Sequence, residues 1–389
     1  MVILDGAPDV GKKTALSDAN KPYLDQLASH SYCGVWSARF PKNYSITNFS
    51  DIGTLQLLGC YDYPGRGYLE ALGIGLKPDK NSVYLRVNFA TVKLATNSFA
   101  SQSQNKYKIV DRRAGRDETG LNELTKEINK IHIKGAKIKF YRGVGHRGIL
   151  VLSGKGLSWK ISEADRGNKI EKINPLDKRA KRTSDILNEY VEKCYQLLDK
   201  HNINNKRKLA ANFLLLRGVG HHVDTKSFKQ KFGFNAVSIS GVGIVKGVSK
   251  FLGIKSVEVL GATGHINTDL NAKIDAAIKA LRKYDFVVLH INGADECAHD
   301  KNSRAKKEFI EKVDRIVFSK IIKLKHINIV VTSDHITSSK TGMHVKGNVP
   351  FLIYNPEEDI DMKRIFSEHM KKDFVTDNPM NKILLKIHK

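Results

Sequence analysis

The sequence predicts an α/β fold built on a largely parallel sheet. Short apolar runs of the kind found in buried parallel strands recur along the chain. Segments whose apolar residues have helical spacing lie between several of these runs, and that alternation is typical of βαβ units. The predicted strands are Val2–Leu4, Ala236–Ile239 and residues 256–260, 286–290, 327–332 and 350–354.

Helical spacing of apolar residues appears at residues 21–31, 268–281 and 304–324. In the first of these segments Leu24, Leu27 and Ala28 share one face, and Pro22 suits the first helical turn because it lacks an amide proton. These segments therefore predict the helices that connect and cover the strands.

The middle of the chain follows a different pattern. Residues 82–92 alternate as one long strand, and residues 133–140 and 148–152 predict a hairpin closed by a turn at 142–147. Residues 184–198 predict a helix with Thr183 or Ser184 as its N-cap. We therefore expect a smaller α+β domain at residues 79–222, inserted into a discontinuous catalytic domain of residues 1–78 and 223–389.

Composition places the chain among globular proteins. Of its 389 residues, 41% are hydrophobic and 27% are charged, which excludes collagen-like and disordered classes. Apolar runs are far shorter than the roughly 20 residues that span a bilayer. Asp5 comes too early for a signal-peptide core, and four cysteines without a CxxC pair predict reduced thiols. We expect a cytoplasmic protein without a membrane partner.

The charge balance is strongly basic, with 65 Lys and Arg against 40 Asp and Glu, a net charge of +25. Such a balance favours anionic partners and can support non-specific nucleic-acid binding. A general lysine bias is the favoured explanation, and the sequence contains no RNP-type or zinc-finger motif. Charge by itself therefore predicts no specific nucleic-acid partner.

Two glycine-containing stretches imitate familiar motifs, and a glycine-containing pentapeptide occurs twice. Residues 6–13 nearly form a P-loop, but Lys13 stands where Ser or Thr should bind magnesium and Pro8 removes an amide donor. Residues 143–148 match GxGxxG, yet a strand is predicted after them where a dinucleotide site requires a helix. The pentapeptide Arg-Gly-Val-Gly-His occurs at 142–146 and 217–221, by chance or through shared turn chemistry.

Metal-ligating residues follow three of the predicted strands. In open α/β sheets the carboxyl ends of strands form one rim, so residues distant in sequence can converge there. Three Asp and three His could form two sites suited to Mn²⁺ or Zn²⁺, with Mg²⁺ at the more oxygen-rich site. The residues are Asp5, Asp295, His299, Asp334, His335 and His344.

Alternatives remain for each part of this set. Asp295 and His299 have the i,i+4 spacing of an ordinary surface ion pair. Ser50 precedes a helical pattern at 51–58, where a serine is usually only a cap, although a helix N-terminus also attracts phosphate. Thr47 and Thr54 are the alternative nucleophiles.

A series of short motifs occurs in the order of a known family. They are Leu4-Asp5-Gly6, Ser50-Asp51 and residues 20–28, 57–59, 65–73, 111–116, 212–218, 245–247, 261–264, 295–299 and 332–335. In this series the sequence resembles, nearly from end to end, the archaeal-type cofactor-independent phosphoglycerate mutases of the alkaline phosphatase superfamily. The resemblance implies an alkaline-phosphatase-like doubly wound sheet, with the inserted domain as a substrate-binding lid.

The resemblance also implies an activity and a set of roles. It implies that 3-phosphoglycerate and 2-phosphoglycerate are interconverted in glycolysis and gluconeogenesis through a phosphoserine at Ser50, without bisphosphoglycerate. One metal ion would be held by Asp5, Ser50, Asp334 and His335, and a second by Asp295, His299 and His344. Mn²⁺ is the expected ion, with Mg²⁺, Zn²⁺ and Co²⁺ as alternatives.

The substrate anchors implied by the resemblance are mainly arginines, whose planar fork suits carboxylate and phosphate. They are Arg112, Arg113, Arg116, His146, Arg147, Arg217 and Lys246. A related metal-dependent phosphatase or phosphopentomutase, a basic nucleic-acid-binding protein and an inactive homologue are the alternative functions.

Overall fold

The computed structural model describes residues 1–40, 49–95, 106–165, 167 and 169–387. Contacts divide the chain into two compact units. The discontinuous unit comprises Met1–Tyr63 and Thr225–Lys389, and the inserted unit comprises Pro64–Asp224. The described part of the chain has a mixed α/β architecture.

The strands of the described residues, in chain order, fall into three sheets. They are β1 (Val2–Leu4), β2 (Tyr32–Trp36), β3 (Ser82–Leu94), β4 (Tyr107–Asp111), β5 (Lys137–Arg142), β6 (Arg147–Ser153), β7 (Phe213–His221), β8 (Ala236–Ile239), β9 (Lys255–Val257), β10 (Phe286–Ile291), β11 (Ile329–Thr332), β12 (Ile336–Ser338), β13 (Met343–Val345), β14 (Val349–Tyr354) and β15 (Phe374–Thr376).

The helices, in chain order, lie between these strands. They are α1 (Ala15–Asp18), α2 (Pro22–Ser29), α3 (Phe49–Leu57), α4 (Arg66–Gly73), α5 (Leu121–Ile128), α6 (Lys181–Asp199), α7 (Asn202–Asn205), α8 (Phe228–Phe232), α9 (Gly243–Phe251), α10 (Leu270–Ala280), α11 (Gly293–His299), α12 (Ser303–Val313), α13 (Ser319–Ile321) and α14 (Pro379–Ile387). A π-helical turn at Asp314–Phe318 joins α12 to α13.

The discontinuous unit is built on an eight-stranded sheet of order β15-β2-β14-β11-β1-β10-β8-β9. Its centre is parallel, as predicted, because β1 pairs in parallel with β10 and β11. The prediction is wrong for β14, which is antiparallel to β11 and β2. The chain leaves β11, forms the short β12–β13 hairpin and returns without a crossover helix, so β14 must run the other way.

An apolar core packs several elements of the discontinuous unit against one another. Residues of β1, β8, β10 and β11 pack with the apolar faces of α2, α10 and α12. The predicted face of α2 is confirmed, since Leu24, Leu27 and Ala28 are buried and Pro22 opens the helix. The sheet therefore holds the carboxyl ends of its central strands at one edge.

The inserted unit contains a five-stranded antiparallel sheet in which β3 pairs with β4, β6 and β7. The predicted hairpin is confirmed as β5 and β6, with its turn at residues 143–146. Apolar residues of β3, β6 and β7 pack with α5 and α6 in a separate core. The helix α6 begins at Lys181, not at the predicted cap, because a 3₁₀ turn capped by Asp177 leads directly into it.

The inserted unit begins at Pro64, earlier than the expected 79, and ends at Asp224 in place of 222. The reason is α4, which contacts β3 and β7 and so belongs to this unit. Cys33, Cys60, Cys194 and Cys297 are buried free thiols. No helix within the described residues has the length and apolar character that a membrane span requires.

Candidate active site

Ionisable side chains converge at the carboxyl ends of three neighbouring strands of the discontinuous unit. Asp5 follows β1, Asp334 follows β11, and His290 lies near the end of β10. Together with four further residues they form what we call the metal group. Its members are Asp5, His290, Asp295, His299, Asp334, His335 and His344.

Two parts of the metal group have donor atoms close enough to share an ion. Asp5, His290 and Asp334 offer ligand atoms that all lie within 4.8 Å of one another, and all three residues are buried. The ligand atoms of Asp295, His335 and His344 also all lie within 4.8 Å of one another. Oxygen and nitrogen donors in this mixture suit Mn²⁺ or Zn²⁺.

In the set of Asp5, His290 and Asp334, four buried polar atoms have no hydrogen-bond partner. Asp5 Oδ1, Asp334 Oδ2 and both ring nitrogens of His290 are buried without a hydrogen bond. His290 Nε2 lies 3.3 Å from Asp5 Oδ2 without completing a hydrogen bond. Because orphaned buried charges are costly, these atoms fit a site for a divalent cation.

The carboxylates of the metal group repel one another. Burial, followed by the charge of Asp5, raises the pKa of Asp334 to about 7. Burial and the neighbouring Asp295 also raise the pKa of Asp5. A divalent cation between these carboxylates would remove the repulsion and keep them ionised.

Two neighbouring histidines of the metal group, His299 and His344, differ strongly in pKa. His299 Nε2 lies 3.0 Å from His344 Nε2 and 3.3 Å from Asp295 Oδ2. Hydrogen bonding to Asp295 raises the pKa of His299 to about 9, whereas burial lowers the pKa of His344 to about 4. The two imidazole nitrogens and the Asp295 carboxylate thus converge on a position that a metal ion could take.

The helix α3 presents Ser50 to the metal group. The Ser50 Oγ lies 3.0 Å from His335 Nε2. A Cβ added to Gly53 would lie 2.3 Å from the carbonyl oxygen of Asp334, so only glycine allows α3 this close to the end of β11. Phe49 packs its ring edge against His335 and His344. Thr54 is buried one turn further on, and Thr47 lies outside the described residues.

Sequence reasoning missed two residues of this site, His290 and Thr337. Thr337 donates a hydrogen bond to Asp295 Oδ1 at 2.6 Å and contacts His335 Nδ1 at 3.1 Å. His290 had a detectable signal, because it is an ionisable residue in an otherwise apolar strand. Thr337 had none, since threonine is common in strands.

The inserted unit carries a second concentration of charge, which we call the arginine cluster. Electrostatic interactions link its members to one another through Arg86, Arg147 and Arg217. Its members are Arg66, Arg86, Arg112, Arg113, Arg116, Arg147 and Arg217. Burial and four of these arginines lower the pKa of the adjacent His146 to about 4.

Two carboxylates, the half-buried Glu70 and the buried Asp165, partly balance the arginine cluster. Glu70 Oε1 lies 2.7 Å from Arg66 Nε and 3.5 Å from Arg86 Nε. Asp165 forms an ion pair with Arg112 and lies 3.8 Å from Arg217 Nη1. Positive charge is in excess, so the cluster fits an anionic ligand.

The structure brings most predicted anchors together and adds others. Five predicted arginines and His146 lie in or beside the arginine cluster, whereas Arg66 and Arg86 were not predicted. Lys246 is placed elsewhere, on α9 of the discontinuous unit, where its Nζ pairs with Glu258 at 2.6 Å.

Comparison with known proteins gives this arrangement a family. Residues 28–204 match the family model for 2,3-bisphosphoglycerate-independent phosphoglycerate mutase. A mutase of that name from Methanococcus maripaludis is 36% identical, over 94% of this chain and 91% of the relative. The chain belongs to the 2,3-bisphosphoglycerate-independent phosphoglycerate mutases. These matches confirm the family resemblance noted in the sequence. The enzymes of this family are isomerases.

Other similar proteins agree in sequence and in fold. An Archaeoglobus fulgidus mutase is 38% identical over 95% of this chain and 91% of its own length. The cofactor-independent phosphoglycerate mutase of Thermoplasma acidophilum has a TM-score of 0.63 at 28% identity, covering 99% of this chain and 98% of its own. A Pyrococcus horikoshii protein has a TM-score of 0.77 at 26% identity, covering 98% and 95%.

Proposed function

We propose that this chain interconverts 3-phosphoglycerate and 2-phosphoglycerate without bisphosphoglycerate, in glycolysis and gluconeogenesis. The observation that carries the proposal is the contact of the Ser50 hydroxyl with His335 inside the metal group, in a chain of this family. We expect the protein in the cytoplasm, with a phosphoglycerate and no nucleic acid as its specific partner.

Ser50 is the proposed phosphoryl acceptor. Its Oγ attacks phosphorus, the bond to one glycerate oxygen breaks, the serine proton is lost and the departing oxygen gains a proton. The glycerate then turns, and its other hydroxyl takes the phosphoryl group back from Ser50 while the serine oxygen regains a proton. Water must be kept away between these steps, because hydrolysis of the phosphoserine would turn the mutase into a phosphatase.

Two divalent ions are the proposed cofactors, with Mn²⁺ first and Mg²⁺, Zn²⁺ or Co²⁺ as alternatives. Asp5, Asp334 and His335 would hold one with Ser50, and Asp295, His299 and His344 the other. His335 is close to both sets, because its Nε2 lies 3.2 Å from Asp5 Oδ1 and it also offers a donor within 4.8 Å of those of Asp295 and His344. His290 is a further donor beside Asp5, at 3.3 Å. Such ions, when bound, stabilise the charge of the transferred phosphoryl group and lower the pKa of a serine hydroxyl.

The inserted unit is the proposed substrate-binding lid on an alkaline-phosphatase-like fold. The arginine cluster would hold the carboxylate and phosphate of phosphoglycerate, through bidentate hydrogen bonds where geometry allows. Predicted anchors in this role are Arg112, Arg113, Arg116, His146, Arg147 and Arg217. Lys246, also a predicted anchor, would first have to leave Glu258.

The decisive experiment measures 2-phosphoglycerate formed from 3-phosphoglycerate through coupling to enolase, with Mn²⁺ and without bisphosphoglycerate. We expect Ser50→Ala to lower turnover by about 10⁴-fold or more, because the acceptor oxygen is gone. Circular dichroism should show an unchanged fold, since Ser50 is only partly buried.

Thr54→Val is the matched variant for the alternative nucleophile. An active Ser50→Ala together with an inactive, folded Thr54→Val would transfer the acceptor role to Thr54. Release of inorganic phosphate by the wild type, without isomerisation, would replace the mutase proposal with a phosphatase.

A further inference from the structure

Thr337 lies between residues of the two predicted metal sites. Its side chain is fully buried in β12. Its Oγ1 lies 2.6 Å from Asp295 Oδ1 and 3.1 Å from His335 Nδ1. One hydroxyl therefore contacts a proposed ligand of each ion.

The backbone around Thr337 is held from several sides. Thr337 pairs with His344 across the β12–β13 hairpin. Its amide donates to the carbonyl of Pro8 at 3.1 Å, and its carbonyl accepts from the buried Lys306 Nζ at 2.8 Å. The hydroxyl thus projects from a fixed point, not from a loop that could relax around it.

Hydrogen-bond polarity determines which nitrogen of His335 carries a proton. An ionised carboxylate only accepts hydrogen bonds, so the single hydroxyl proton of Thr337 is donated to Asp295. Towards His335 the Thr337 oxygen can then only accept, and Nδ1 must carry the proton. In a neutral imidazole the other nitrogen, Nε2, is consequently bare.

The bare Nε2 of His335 faces oxygen atoms. It lies 3.0 Å from Ser50 Oγ, 3.2 Å from Asp5 Oδ1 and 3.5 Å from Asp334 Oδ2. A lone pair directed at two carboxylates is repelled unless a cation lies between them. The tautomer set by Thr337 is therefore the one that a metal ligand needs.

We propose that Thr337 is a positioning residue that sets the tautomer and ring orientation of His335 while anchoring Asp295, and so couples the two metal sites. The inference rests on the metal centre of the proposed function. It assigns to Thr337 a role in ion affinity, without contact with the substrate.

Manganese binding to metal-stripped protein tests this role without substrate. Titration calorimetry with Mn²⁺ would compare wild type, Thr337→Val and Thr337→Ser. Valine keeps the shape and removes the hydroxyl, so we expect about 10–100-fold weaker binding. Serine keeps the hydroxyl and therefore both of its hydrogen bonds. Thr337→Ser should bind Mn²⁺ within about 3-fold of the wild type. Wild-type affinity in Thr337→Val would overturn the proposal.

A second measurement needs no variant, in case Thr337→Val fails to fold. Ring ¹⁵N NMR of His335 in the metal-free wild type should show a proton on Nδ1, hydrogen-bonded to Thr337. A bare Nδ1 would overturn the assignment. Both measurements omit phosphoglycerate, so they can be interpreted even if the protein does not isomerise it. If the wild type isomerises phosphoglycerate but Thr337→Val binds Mn²⁺ as tightly as the wild type, this inference is refuted and the proposed function is not.

Discussion

The metal group of the discontinuous unit and the arginine cluster of the inserted unit carry opposite unbalanced charges. In the metal group, burial and then repulsion by neighbouring carboxylates raise the pKa of Asp5 and Asp334. In the arginine cluster, burial lowers the pKa of Arg86 and Arg147, with other arginines adding to the effect. Each cluster is electrostatically incomplete by itself, and the sign of the excess identifies the ligand it needs.

The comparison also separates two kinds of binding site. Carboxylate and imidazole donors within 4.8 Å of one another form a compact centre suited to an ion. The arginines are distributed over α4, β3, β6 and β7 and the segment after β4, so they can contact a molecule with more than one anionic group. Metal removal and arginine substitution should therefore have different consequences.

Metal removal should have the largest effect. Dialysis against a chelator should abolish isomerisation, and added Mn²⁺ should restore it. The melting temperature should also fall without metal, because the carboxylates of the metal group again repel one another. Activity that survives thorough metal removal would contradict the proposed two-metal centre.

Arg217→Met should have the next largest effect, on substrate binding. Loss of a charged hydrogen-bond donor should raise the KM for 3-phosphoglycerate by about 10–100-fold. Manganese affinity, measured by calorimetry, should stay unchanged. Arg304→Met is the matched control, because Arg304 is exposed and its described ion pair is with Glu308, one helical turn away.

An equal rise of KM in both arginine variants would show a general effect of net charge. A fall in manganese affinity for Arg217→Met would show that the arginine cluster also affects metal binding, contrary to the expected division of roles.

The smallest expected effect is on stability as a function of pH in metal-free protein. The pKa of Asp334 is about 7 when folded, against an ordinary value of 3.8. Between these values the folded state binds more protons than the unfolded state, so stability should fall as pH rises through this window. Urea unfolding at pH 5 and pH 8, with chelator, would measure the fall.

Asp334→Asn is the matched variant for this titration. It cannot ionise, so its stability should depend less on pH than that of the wild type. An identical dependence in both proteins would assign the titration to another group. Bound Mn²⁺ should reverse the trend in the wild type, because metal binding requires ionised carboxylates.

Much of the metal group could be predicted because strand ends have a sequence signature. Asp5 directly follows the short, fully buried β1, Asp334 lies two residues after the equally buried β11, and carboxyl ends of parallel strands meet at one edge. The arginine cluster was less accessible to sequence reasoning. Arg66 lies in a helix and Arg86 in the middle of a long strand, where only the pairing of β3 with β7 places Arg86 opposite Arg217.

The sequence by itself determined the family, the parallel centre of the sheet and the ionisable residues at its edge, because these depend on local patterns and their order. Tertiary structure decided the rest. The pentapeptide Arg-Gly-Val-Gly-His forms a turn after β5 at one site and the end of β7 at the other. Identical residues adopt different structures because β7 pairs with β3 along its length, whereas the first copy has to reverse the chain between β5 and β6.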